Sequence, residues 1–181
     1  MFDDNRSKKV IFVSHCILNQ NSISDNTADF PAAFKEVTGL LMNYEIGIVQ
    51  MPCPELLCLG LDRGDIRRAE REVVAENTRI RKELNMRPAA ARIKQLVDLV
   101  VFQIDEYVKN RFSVLGIIGI NRSPGCGVET TSMYDKEVGG KGVFMETLAA
   151  KLEQKGLNIR IIGVKTSEIG ESAARVRQLL P

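Results

Sequence analysis

Several things are scarce in this chain of 181 residues. No apolar run approaches the length needed to span a bilayer. The start, Met1-Phe2-Asp3-Asp4-Asn5-Arg6, is polar and mixed in charge, unlike a secretory signal peptide. Neither sign of charge dominates, with 25 basic against 23 acidic residues and a net charge of +2. That balance gives no electrostatic case for nucleic acid or an anionic membrane as partner. Four cysteines are too few for a disulfide framework, so reduced thiols in a cytoplasmic protein are expected, free for metal binding or catalysis. Histidine occurs once, at His15. A cysteine-nucleophile hydrolase would therefore have almost no choice of base. Repeats, low-complexity tracts and linkers are missing too, which points to one domain over residues 1–181 with its core at about 9–180.

What is present is a globular profile, 44% hydrophobic and 27% charged. Lys9-Val10-Ile11-Phe12-Val13, Ile46-Gly47-Ile48-Val49-Gln50, Val114 to Ile120 and Ile159 to Val164 read as short strands buried on both faces. Asn19 to Thr27, rich in turn formers, reads as a long surface loop, and Leu56 to Asp65 is loop-like. Pro31 is placed to start a helix through Phe34, Val37, Leu40 and Leu41. Ile66 to Leu84 is charge-dense and reads as a solvated helix or lid. Pro88 opens the clearest helix, with Ile93, Leu96, Val97, Val100, Ile104, Tyr107 and Val108 on one stripe. Gly139 to Gly142 marks a break. Val143 to Lys155 is amphipathic with Gly156 behind it, and Thr166 or Ser167 could cap a last helix to Leu180. Strands alternating with helices imply a parallel sheet covered on both sides: a single α/β, Rossmann-like, three-layer domain with a mostly parallel sheet of four strands or slightly more.

In such sheets ligands bind beyond the carboxyl ends of the strands. Cys16 lies past the first strand, Cys53 past the second and Cys126 past the third, so the topology predicts three thiols at one edge. A lone cysteine after a strand is often only a small buried residue. Three thiolates with no further protein ligand would suit a 4Fe-4S cluster with one open iron. A closed zinc site would want a fourth ligand and paired Cys-x-x-Cys knuckles, which are absent. Cys58 follows no strand and reads as a buried thiol. The stretch Cys16 to Ser22 lacks the arginine of a phosphatase loop, and Gly125-Cys126-Gly127 lacks the third glycine of a dinucleotide fingerprint.

Three loops then carry a resemblance: Ser14-His15-Cys16-Ile17-Leu18-Asn19, Met51-Pro52-Cys53-Pro54-Glu55, and Arg122-Ser123-Pro124-Gly125-Cys126-Gly127 with Tyr134-Asp135 downstream. Over roughly residues 9 to 168 the chain resembles the former domain-of-unknown-function family that includes the thiouracil desulfidases. The resemblance implies that Cys16, Cys53 and Cys126 hold a three-cysteine 4Fe-4S cluster. It implies that Glu55 moves protons or activates water, and that Ser123 orients the substrate. The implied reaction is non-redox removal of sulfur from a small thiolated compound, a thiobase or thioamide, with release of hydrogen sulfide. The chain departs from the family pattern at Ile23-Ser24-Asp25-Asn26, where Arg-Tyr-Asp-Gly is common, at Ile120-Asn121, where Lys-Glu is common, and at Asn19, where glycine is. These changes point to a substrate other than thiouracil, with Asn19, Asn21 and Asn121 as expected contacts.

Two other function classes compete with this enzyme. One is a non-catalytic carrier of sulfide or of the cluster; the other is a hydrolase with Cys126 as nucleophile and His15 beside it. A monomer or small homo-oligomer is expected. Glu55 also has a plain structural use as a capping charge near a helix start, and His15 as a strand-end residue bonded to backbone.

Overall fold

The computed structural model describes residues 4–181; the first three residues of the polar N-terminal stretch lie outside them. The strands in chain order are β1 (Lys9–Val13), β2 (Gly47–Gln50), β3 (Ser113–Ile120), β4 (Thr130–Met133), β5 (Lys136–Gly139) and β6 (Ile161–Val164). The helices are α1 (His15–Leu18), α2 (Lys35–Asn43), α3 (Pro54–Leu59), α4 (Val73–Asn85), α5 (Arg87–Lys109), α6 (Val143–Gln154) and α7 (Ile169–Arg177). Four strands form one sheet in the order β2-β1-β3-β6, with every pairing parallel. Their β-branched runs are the ones the sequence offers for a sheet buried on both sides.

Helices cover both faces, in the three-layer Rossmann-like arrangement. One core joins Val10, Phe12 and Ile117 to α4, α5 and α6 through Ile80, Leu84, Ile93, Val97, Val100, Ile104, Phe144 and Leu148. The other joins Ile11, Val13, Ile118 and Val164 to α2 and α7 through Val37, Leu41 and Val176. Alternate residues of β1 thus feed opposite cores, as the two-residue period of a strand requires. The chain leaves β1 for β2 on one side and later crosses to β3 on the other. The switch point falls between β1 and β3, and at their carboxyl ends the Ser14 N–H donates to the Ile118 carbonyl at 2.9 Å.

The structure corrects several expectations. Residues 56–65 are not all loop: α3 begins at Pro54, whose fixed φ and missing N–H suit a first helical turn. The charged segment is helical only from Val73, and a short 3-10 turn, Arg68–Glu70, precedes it. Pro31 stays outside α2, which starts at Lys35. The last helix starts after Glu168, with no side-chain cap from Thr166 or Ser167. The loop from Asn19 is not a surface loop throughout, for Gln20, Ser22 and Ser24 are buried. On α5, Val108 is exposed and Val101 is buried in its place. The hairpin β4–β5 has no counterpart in the sequence reading; its polar Thr and Lys residues lack a long apolar alternation, and its turn rests on positive φ at Tyr134 (58°) and Asp135 (56°). Among the described residues no helix is long and apolar enough to cross a membrane.

Candidate functional site

Three loops meet at the carboxyl edge of β1, β2 and β3. Cys16 sits on the single turn of α1, directly after β1. Cys53 precedes α3 and caps it, its Sγ accepting the Leu56 N–H at 3.4 Å. Cys126 lies in the turn after β3, where the Ser123 hydroxyl accepts the Cys126 N–H at 2.9 Å. The second and third loops abut: a Cβ on Gly125 would lie 2.9 Å from Pro54 Cγ and 3.6 Å from Glu55 Oε1. The loop is also pressed against the start of α6, since a Cβ on Gly142 would stand 2.5 Å from the Gly125 carbonyl.

Cys126 lies within the field of Cys16 and Cys53, and Cys16 within that of Cys53. Cys126 is buried, and its thiol is pushed far up by burial first and then by the Cys16 and Cys53 sulfurs. Cys16 is driven up by burial, by Cys53 and by Glu55. Cys53 is pushed up to about 11 by burial and Glu55, against the pull of the Leu56 N–H and Arg63. Without a countercharge these thiols stay protonated. The Ser14 hydroxyl, buried and otherwise without a hydrogen-bond partner, lies beside the Cys126 thiol. Cys58 stands apart, half-buried in a core and turned to the Ala89 carbonyl at 3.8 Å.

Glu55 is the hub of the polar side. Its carboxylate is buried and accepts from Ser123 Oγ at 3.3 Å on one oxygen. The other accepts from Ser24 Oγ at 3.3 Å and from Arg63 Nε at 3.1 Å. Arg63 is 1% exposed and spends its remaining donors on the Ser22 carbonyl at 2.5 Å and the Gly60 carbonyl at 2.8 Å. A buried carboxylate needs such a countercharge. In sequence, Ser24 lies in the stretch that departs from the family pattern and Arg63 in the loop-like stretch Leu56 to Asp65; neither pattern shows the contact with Glu55, which only the fold makes.

Glu55 and Ser123 open onto a cavity of about 420 Å³, also lined by Ser24, Asn77, Asn121 and Lys165. Of the expected contacts, Asn121 reaches it. The Asn121 Oδ1, however, is taken up by the backbone N–H groups of Val128, Glu129 and Thr130 at 3.3, 3.1 and 3.4 Å. That leaves its amide nitrogen for the cavity. Asn19 and Asn21 do not line it. Asn19 Oδ1 accepts from the backbone and side-chain nitrogens of Asn21 at 3.1 and 3.0 Å, holding the 3-10 turn that follows. His15 is bonded through Nδ1 to the Gln50 side chain, and burial lowers its pKa. A cysteine-nucleophile mechanism fits poorly: Cys126 is buried with its thiol pushed up, the opposite of an activated nucleophile.

The donor chemistry suits a soft cation, which as a countercharge would offset the burial that keeps Cys16, Cys53 and Cys126 protonated. In the geometry described, no three His, Cys, Asp or Glu side chains among the described residues form a metal-holding group.

No family model matches the chain, and no solved structure does. The chain is similar to an uncharacterized protein of Methanocaldococcus jannaschii, 29% identical over 163 residues that cover 90% of each chain.

Proposed function

We propose that the protein is a 4Fe-4S-dependent, non-redox desulfidase that removes sulfur from a small thiolated compound and releases hydrogen sulfide. The observation that supports this reading is the topology, which sets Cys16, Cys53 and Cys126 just past the ends of three neighbouring strands, with the buried Glu55, beside Cys53, bonded to Ser123 of the Cys126 turn and lining a polar cavity. Cys16, Cys53 and Cys126 would hold the cluster. When bound, it supplies a thiophilic Lewis acid with an open position.

The chain's own groups do the rest. Glu55 takes the proton of an attacking water at Oε1, the oxygen nearer Ser123. Arg63 and Ser24 fix Oε2, so the carboxylate presents one orientation. The Ser123 hydroxyl donates to the substrate when the substrate displaces it from Glu55. The Asn121 amide supplies a second donor. The cavity's burial strengthens each of these contacts relative to water.

The test is sulfide release from a panel of thiobases and thioamides by anaerobically reconstituted protein. Turnover that falls about 100-fold or more in Glu55→Gln with iron content unchanged is expected for the enzyme. Loaded protein that releases no sulfide from any member favours a sulfide or cluster carrier instead.

A further inference from the structure

The cavity's charges sort into two kinds. Five charged side chains line it: Asp29, Glu55, Arg122, Lys165 and Glu168. Three are already neutralised within the protein. Glu55 is paired with Arg63 at 3.1 Å. Lys165 is paired with Glu137 at 3.0 Å and with Glu168 at 3.4 Å. The other two, Arg122 and Asp29, form no close ion pair among the described residues, although Glu137 lies within the longer-range field of Arg122, and they have opposite signs. Among the described residues the Asp29 carboxylate accepts a hydrogen bond from the Thr166 hydroxyl alone. Arg122 is held at the cavity by its backbone, at φ 69°, with its N–H bonded to the Thr130 carbonyl at 3.0 Å.

The rest of the wall is polar and aliphatic. None of its described side chains is aromatic, and Ile23, Ile120 and Pro124 are its only apolar members. A planar base would find no ring to stack on. A compact ligand with one cationic and one anionic end would find a partner for each, while its sulfur-bearing end lay at Glu55 and Ser123.

We propose that the cavity takes a zwitterionic, aliphatic thioamide of amino-acid size, with its ammonium at Asp29, its carboxylate at Arg122 and its thioamide between Glu55 and Ser123. This rests on the desulfidase reading for the fate of the sulfur, and on the cavity alone for the class of ligand. A cavity of about 420 Å³ lies within the range of small-molecule sites and holds such a ligand with room for water. Chemically, water adds to the thioamide carbon. The C=S bond breaks, a C=O bond forms with the oxygen of water, and the two hydrogens of water leave with the sulfur as hydrogen sulfide. The products are the amide and hydrogen sulfide, with no oxidant or reductant.

The test is calorimetric titration of the full chain with three probes: thioglutamine (glutamine with its side-chain amide as a thioamide), thioacetamide and 2-thiouracil. Thioglutamine is expected to bind at least about tenfold tighter than thioacetamide. Arg122→Ala and Asp29→Ala should each narrow that ratio by about tenfold, and Arg122→Lys should restore part of it. Tighter binding of 2-thiouracil than of thioglutamine overturns the proposal. So does an unchanged ratio in both alanine variants, or no binding of thioglutamine. Sulfide assays on the iron-loaded protein separate the two ideas. Charge-dependent binding of thioglutamine with no sulfide from any probe upholds the ligand class and sinks the desulfidase. Sulfide from 2-thiouracil alone does the reverse.

Discussion

At the scale of single residues, the site turns on a pairing that local pattern hides. Glu55 and Arg63 are eight positions apart, and their side chains are 10% and 1% exposed. Removing Arg63 leaves a buried carboxylate without its countercharge, which costs about 3–5 kcal/mol. We predict that loss for Arg63→Ala in urea unfolding, and a much smaller one for the double variant Arg63→Met/Glu55→Gln, which removes both charges. Equal losses in the single and double variants would mean that the pair contributes little. The thiols make a second prediction. In metal-free protein their folded pKa values stand above the unfolded value near 9.0, Cys53 at about 11. Below pH 9 both states hold these protons. Above it the unfolded chain releases them first, so the thiols' contribution to stability is lost as pH climbs from about 9 towards 11. The urea midpoint of chelated protein should fall more between pH 8 and pH 10 than that of the Cys16→Ala/Cys53→Ala/Cys126→Ala variant; equal falls would contradict the burial of the thiols.

At the scale of elements, the site depends on how closely its loops touch. The turn after β3 packs against both α3 and the start of α6, and glycine is what permits this. A methyl group on Gly142 would stand 2.5 Å from the Gly125 carbonyl carbon and oxygen and 2.8 Å from the Cys126 nitrogen, all backbone. Gly142→Ala should therefore cost about 1–3 kcal/mol and displace the Cys126 turn. Gly39→Ala is the control, for its Cβ meets nothing within 4 Å. Equal stability of the two variants would show that the loop can yield. Element identity followed from the long helical stripe of α5 and from the short continuous apolar runs of the four sheet strands. It failed where a short segment was shaped by its surroundings. α3 has only six residues, and its start is fixed by Pro54 and the Cys53 cap. The β4–β5 hairpin is held partly by α4, through Asn77 to Ser132 at 3.4 Å and Arg81 to Thr131 at 3.1 Å. Such contacts join residues about 50 positions apart, and no local window contains them.

At the scale of the whole molecule, the order β2-β1-β3-β6 explains why residues 16, 53 and 126 share a neighbourhood. Alternation of strands and helices was enough to expect that edge. The same reasoning could not supply the inward turn of Arg63, the commitment of Asn121 to its own loop, or the polar character of the cavity. Each of these depends on side-chain direction after packing, which topology leaves open. The described fold also separates the cysteines by place: Cys58 lies on α3 and turns to the Ala89 carbonyl, while Cys16, Cys53 and Cys126 lie just past the carboxyl ends of β1, β2 and β3.

That separation makes the central claim directly measurable. Iron and acid-labile sulfide, with the visible spectrum, should be determined under strict anaerobiosis for wild type and for the alanine variants of each cysteine. About four irons per chain and a broad absorption near 400 nm are expected for wild type and for Cys58→Ala. Cys16→Ala, Cys53→Ala and Cys126→Ala should each lose both signals while keeping the far-ultraviolet circular dichroism of the fold. Zinc alone in wild type, or iron retained in all three variants, would contradict the proposed cluster.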